Sequence, residues 1–342
     1  MPSSTPKKSS EGKARRALKK VRALLGFLVC FILAVWIFGL ITYCGPLPRA
    51  GNLIIAILWI LACLAVRFFV PLKKWRAILG LDLALVLVIP YLSLRPSHNR
   101  DWVEPQAMTS TATVTGDILE IHNYRSFDYD AEGLPIGKWE SRSYDLRKIR
   151  GMDFFMTNWT TDLAGHPIFS FDFGDGEHLA FTIEARLEKD EVYSLPAGLY
   201  RRFELSYIPC SESDAVRVRT NFRENENVYI YRTVATPEQA RARLLEFVAT
   251  MNDIAKKPRF YNVVTSNCTT AVRSQMTGGF PFDWRIIVNG KLDEMLYDRG
   301  LLVTGGLPFQ ELKRRAFINP KVREHPEKEN FSTRIRENVT GF

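Results

Sequence analysis

Residues 24–43 read LLGFLVCFILAVWIFGLITY, twenty residues without a charge, about the length a helix needs to cross a bilayer. The stretch decides the class of the chain. Gly45, Pro46, Pro48 and Gly51 break the run, and Leu53–Val70 forms a second one, interrupted only by Arg67. Lys73, Lys74 and Arg76 follow. Ile78–Leu94 is a third run, with Asp82 near its start and Pro90 near its end. No A-x-A-like cleavage site follows the first run, so it is expected to stay as a membrane helix rather than be removed as a signal peptide. A buried hairpin in a soluble core is the alternative, but the rest of the chain is too polar to cover it.

The formal charge of the 342 residues is +9, and residues 1–22 hold eight basic side chains against Glu11. Because this segment carries most of the excess charge, no nucleic-acid partner is expected. The apolar share of 46% and the five cysteines exclude a disordered chain and a disulfide-dense mini-protein. Both the N-terminal segment and the link between the second and third runs are basic, whereas the link between the first and second holds only Arg49. The positive-inside rule then puts the basic segments in the cytoplasm and everything after residue 95 on the outer side, the periplasm of a Gram-negative cell. The expected organisation is a basic tail over 1–22, three transmembrane helices over 23–95, an extracytoplasmic domain over 96–319 and a charged, loosely held tail over 320–342.

Within the polar part, Asp101–Ala107 reads as a linker and Ala112–Ile121 alternates as a strand. Pro167–Phe173, the turn Gly174-Asp175-Gly176 and His178–Arg186 read as a hairpin. Glu204–Ile208, Val216–Arg219 and Val228–Arg232 are expected as strands, and Thr236-Pro237-Glu238 opens a helix that runs to about Ala255. Tyr261–Val264 is expected to be extended, leading through TSNCTT (265–270) into a further helix. Strands first and helices later argue for α+β.

Cys268 is the candidate nucleophile. Capped by Thr265, Ser266 or Asn267, it would lie in the first turn of a helix, where the positive helix end lowers a thiol pKa and free N–H groups can hold an oxyanion. A buried structural cysteine is the alternative, as is a disulfide to Cys210. A thiol nucleophile wants a histidine partner. Of the five, His98 sits at the membrane edge, His325 in the charged tail, His178 beside a turn and in solvent, and His122 beside Asn123. His166, after Ala164-Gly165, can project from the edge of a scaffold, although a solvent-facing loop position is also open. Hairpin register brings it opposite Glu184–Arg186, so Glu184 could orient the imidazole unless it only pairs with Arg186 on the surface. No metal site and no cofactor is expected, since no H-E-x-x-H, C-x-x-C or P-loop occurs.

NYRSFDYD (123–130), AGHPIFSFDFGDG (164–176), IEARLEKDEVYS (183–194), RFYNVVTSNCTT (259–270) and FDWRIIVNGKLDEMLYDRG (282–300) together resemble the Lnb-type domain, a family of extracytoplasmic lipoprotein transacylases and their relatives. The resemblance implies Cys268 as nucleophile and His166 as base, with histidine before cysteine as in permuted papain-like, NlpC/P60-related lipid acyltransferases. Asn267 and Thr269 would shape the oxyanion site. It further implies transfer of an acyl chain from a lipid ester, through a thioester, to an amine such as a lipoprotein N-terminus, by a protein of the inner membrane. The three-helix anchor departs from the longer architecture of the characterised transacylases, which leaves lipoprotein, phospholipid and water open as acceptors. A cysteine hydrolase or amidase, and a non-enzymatic binding module, are the competing readings.

Overall fold

A computed structural model describes residues 7–160, 162–267, 283–286 and 289–342. By its contacts the chain divides into two units, Met1–Arg95 with Tyr200–Arg202, and Pro96–Leu199 with Phe203–Phe342.

The first unit is built on three helices, α1 (Lys7–Cys44), α2 (Arg49–Phe69) and α3 (Lys73–Ser93). Ile37, Ile41 and Ala56 pack in its centre with Trp59 and Leu87 against them. The Trp59 indole donates to the Leu83 carbonyl (3.1 Å), and Asn52 closes the turn after α1 by donating to the carbonyls of Gly45 and Leu47. Most of the remaining apolar side chains face outward, Leu24, Phe27 and Val86 among them. Apolar surface on all sides is stable in hydrocarbon and not in water. All three helices are long and apolar enough to cross a membrane.

The second unit is a mixed sheet in the order β1-β2-β9-β8-β7-β6-β10, with β5 also paired to β2. Its strands are β1 (Thr111–Thr115), β2 (Ile118–Arg125), β5 (Trp139–Asp145), β6 (Gly151–Asn158), β7 (Gly165–Gly174), β8 (Glu177–Arg186), β9 (Glu204–Cys210) and β10 (Asn227–Arg232), while β3 (Asp128–Tyr129) and β4 (Pro135–Ile136) form a separate ribbon. All pairs are antiparallel except β2 with β9. β7 and β8 are central, and the Gly174-Asp175-Gly176 turn joins them with φ positive at all three residues, which glycine at two of them makes easy.

Strand alternation sorts the side chains onto two faces. On one, Phe169, Phe171, Phe181 and Tyr207 pack their rings on Phe247 of α5 (Pro237–Lys256). That helix starts at a capping box between Thr236 and Gln239. On the other face, Phe155, Ile168, Ala180, Ile208 and Ile230 pack against Ala215, Val216, Val322, Phe331, Ile335 and Val339. The molecule is thus α+β, three apolar helices followed by a sheet-rich unit.

Several expectations are corrected. Ala112–Ile121 is not one strand, because Gly116 (φ +62°) turns the chain between β1 and β2. Val216–Arg219 is helical: Ser211 caps α4 (Glu212–Arg217) by accepting from the Asp214 N–H, and the chain continues into a π-helical turn, Val218–Phe222. The β-branched valines are outvoted by that cap and by burial of Ala215 and Val216 on one face. Tyr261–Val264 is not extended throughout, since the Asn262 carboxamide accepts from the N–H groups of Val264 and Thr265 and folds a tight turn. Residues 101–107 are no free linker: Trp102 and Gln106 are buried. Nor is the end of the chain loosely held. Phe331, Ile335 and Val339 belong to the core, and Arg336 is an internal counterion (below).

Candidate active site

His166 is the second residue of β7, opposite Thr157 of β6. Gly165 before it is held tightly. A Cβ there would meet the Met156 methyl and the Thr157 carbonyl at 2.4 Å, and its N–H donates to Asn289 Oδ1 (3.1 Å). The imidazole therefore leaves the sheet at a fixed point.

The ring is buried, and its Nε2 lies 2.6 Å from Thr182 Oγ1 on β8. Thr182 in turn donates to Glu184 Oε1 (3.1 Å), two residues along the same face. Glu184 Oε2 accepts from Gln106 Nε2 (2.7 Å), and Arg125 Nη1 stands 3.6 Å from Oε1. Behind it, Arg125 Nε donates to Asp214 (3.0 Å), which also accepts from the Phe127 N–H and the Tyr129 hydroxyl.

Burial disfavours the charge on Glu184, but Arg125, with help from His166 and Arg219, outweighs it and holds the carboxyl down to about 2. Burial pushes His166 well below the ordinary histidine value, and the guanidinium of Arg219 on the π-helical turn adds to this, against Glu184. The imidazole is neutral at neutral pH and its carboxylate partner is ionised. A neutral, oriented imidazole is what a general base requires.

Sequence-predicted positions are brought together in part. His166 and Glu184 share one network, but through Thr182 rather than by direct contact. The alternative surface pair of Glu184 with Arg186 does not form, because Arg186 donates inward to the carbonyls of Gln106 and Ala107 and lies over the Trp102 ring. Asn267 is buried, its amide donating to the Val263 carbonyl in the turn that precedes position 268. Cys268 and Thr269 lie outside the described residues. Cys210 is a free thiol, fully buried, with its pKa raised by desolvation, which disposes of the disulfide reading. Sequence reasoning missed Thr182, Gln106, Arg125 and Asp214. A polar residue in the otherwise apolar AFTI segment (180–183) was the available signal for Thr182; the others are far apart in sequence and carry no local mark.

A second polar cluster includes another histidine. Asp153, His178 and Glu212 each place a donor atom within 4.8 Å of the others, a spacing that could hold a cation. The acids are already matched, since Arg336 binds both Asp153 (2.6 Å) and Glu212 (2.8 Å through Nη1), and Arg232 binds Asp153 (2.8 Å). His178 is not solvated as expected, its side chain being only 5% exposed.

Compared with known proteins, the chain matches no curated protein and no solved structure. A family model does match residues 137–289, just under half of the chain, covering His166, Thr182, Glu184, Asn267 and the positions of Cys268 and Thr269. With three apolar helices before it, this stretch makes the molecule a membrane protein with a periplasmic-type domain. The model that matches is that of the Lnb N-terminal periplasmic domain, which residues 137–289 of the chain resemble.

Proposed function

We propose that the protein is a membrane-anchored thiol acyltransferase acting on lipoprotein or phospholipid at the outer face of the inner membrane. Helices α1–α3 span that membrane, the basic segments lie in the cytoplasm, and the sheet-rich unit lies in the periplasm on a permuted papain-like plan. The observation that carries the reading is the buried, neutral His166, tied through Thr182 to an ionised Glu184 inside the region that the Lnb model matches.

In the first half-reaction His166 takes the proton of the Cys268 thiol, and the thiolate attacks the carbonyl carbon of a lipid ester. Asn267 and Thr269 shape the site in which the oxyanion is held. The C–O bond breaks, the alcohol leaves with the proton from His166, and an acyl thioester remains on Cys268. In the second half the amine of an acceptor, such as a lipoprotein N-terminus, attacks the thioester. The C–S bond breaks, and the amine proton returns to sulfur through His166. Tethering by three helices keeps the thiol where acyl esters are concentrated. The test is the acylation state of lipoproteins and the lysophospholipid content of cells that carry the wild type or Cys268→Ala. The reading expects acylated lipoprotein and deacylated lipid only with Cys268 intact. Free fatty acid in place of acylated amine would instead make the protein a hydrolase.

A further inference from the structure

The network around His166 contains enough donors and acceptors to fix its proton positions. Glu184 is ionised and can only accept. Gln106 donates to its Oε2, and Arg125 stands 3.6 Å from Oε1, the oxygen that faces Thr182. Thr182 has one hydroxyl proton, and it goes to Glu184 (3.1 Å). The same oxygen lies 2.6 Å from His166 Nε2 and can therefore only accept there. Nε2 must carry a proton, and in a neutral ring Nδ1 then carries a lone pair. Among the described residues Nδ1 has no hydrogen-bond partner.

We propose that Thr182 is a positioning residue that fixes His166 in the Nε2–H tautomer, so that Nδ1 is the atom that accepts the nucleophile's proton. The assignment of the nucleophile rests on the function proposed above; the tautomer does not. As Nδ1 takes the proton and the S–H bond breaks, the ring becomes a cation. The Nε2–H···Oγ1–H···carboxylate chain carries the charge of Glu184 to it without a direct ion pair. A carboxylate in direct contact would favour the protonated ring more strongly; a hydroxyl between them orients the ring with less of that bias, in keeping with the depressed His166 pKa.

The experiment is a long-range ¹⁵N–¹H correlation spectrum of the detergent-solubilised full chain with labelled histidine, His166 being assigned by its loss in His166→Gln. A pyridine-like Nδ1 and a pyrrole-like Nε2 are expected at neutral pH. In Thr182→Val the two nitrogens should move toward averaged shifts, and kcat for acyl transfer from a diacyl phospholipid to a peptide amine should fall about 10- to 100-fold with little change in KM. Thr182→Ser, which keeps the hydroxyl, should restore both and shows that the loss in the valine variant is not misfolding. A wild-type Nδ1–H tautomer, or a valine variant with unchanged shifts and kcat, overturns the proposal. An Nε2–H tautomer in a protein without acyl transfer would leave the positioning role intact and count against the reaction alone.

Discussion

One face of one sheet carries two buried polar clusters, separated by the apolar band Phe155, Ile168, Ala180 and Ile208. At one end of β7 and β8 stand His166, Thr182 and Glu184; at the other stand Ser170, Asp172 and His178, with Asp153 of β6 beside them. Each cluster contains a histidine, buried acids and an arginine. What differs is how the charges are closed. At the far end Arg336 grips Asp153 and Glu212 together, Arg232 joins Asp153 to Asp172, and Ser170 donates to Glu212. Those acids are matched by cations among themselves. At the near end Arg125 stands beside Glu184 and the Thr182 hydroxyl links that carboxylate to a neutral imidazole, whereas His178 at the far end, its Nε2 also without a hydrogen-bond partner among the described residues, lies 3.8–4.0 Å from its acids with no hydroxyl between. On the proposed function, charge closed on itself serves packing, and charge that leaves a base poised serves chemistry.

The contrast can be broken by exchanging losses between the two ends. His166→Gln should cost activity by about 10²- to 10⁴-fold, the share a general base supplies, while the melting temperature changes little. Arg336→Met should do the reverse. It leaves Glu212 buried without a cation and Asp153 with Arg232 alone, a loss of about 3–5 kcal/mol by denaturant titration, with the activity per folded molecule retained. If Arg336→Met removed activity at unchanged stability, the division between the ends would be wrong.

Acid should separate the ends further. His166 titrates well below 6.5, so kcat/KM should hold as the pH falls from 7 to 6, whereas an ordinary histidine would by then have lost more than half of its base form. The sign for stability follows. The unfolded chain takes up this proton first, so the stability associated with His166 declines as pH drops below about 6.5. Glu184 and Glu212, both held down to about 2, contribute stability that is present above their unfolded values near 4.5 and is lost as pH falls toward 2. The smallest effect belongs to Arg314→Ala, which removes an exposed pair with Glu311 and should leave both activity and melting curve in place.

The parts of the fold that a sequence displays locally were legible in it. Long apolar runs gave the three helices, the Gly-Asp-Gly turn gave the β7–β8 hairpin, and Thr236-Pro237 gave the start of α5. The near-end cluster was legible as far as alternation and one turn could carry it, to His166 and Glu184. Thr182 was passed over because a threonine is ordinary in a strand. Arg125 and Asp214 meet across 89 residues, which no local pattern encodes. The end of the chain misled for a related reason. Phe331, Ile335 and Val339 repeat at helical spacing, but charges lie between them, and Arg336 reads as a solvated side chain until its two acids are placed around it. Val216–Arg219 failed because strand preference is a half-buried surface seeking partners, and here a cap and a helix supply them first.

The central claim is that Cys268 carries the acyl group between donor and acceptor. Intact-mass and peptide mass spectrometry of the protein, quenched in acid while turning over a phospholipid of known chain length, tests it directly. The account predicts one acyl mass on the peptide bearing Cys268, removed by hydroxylamine and absent from His166→Gln quenched at the same time. Continued lipid turnover by Cys268→Ala, or an acyl adduct on another residue with Cys268 unmodified, would contradict it.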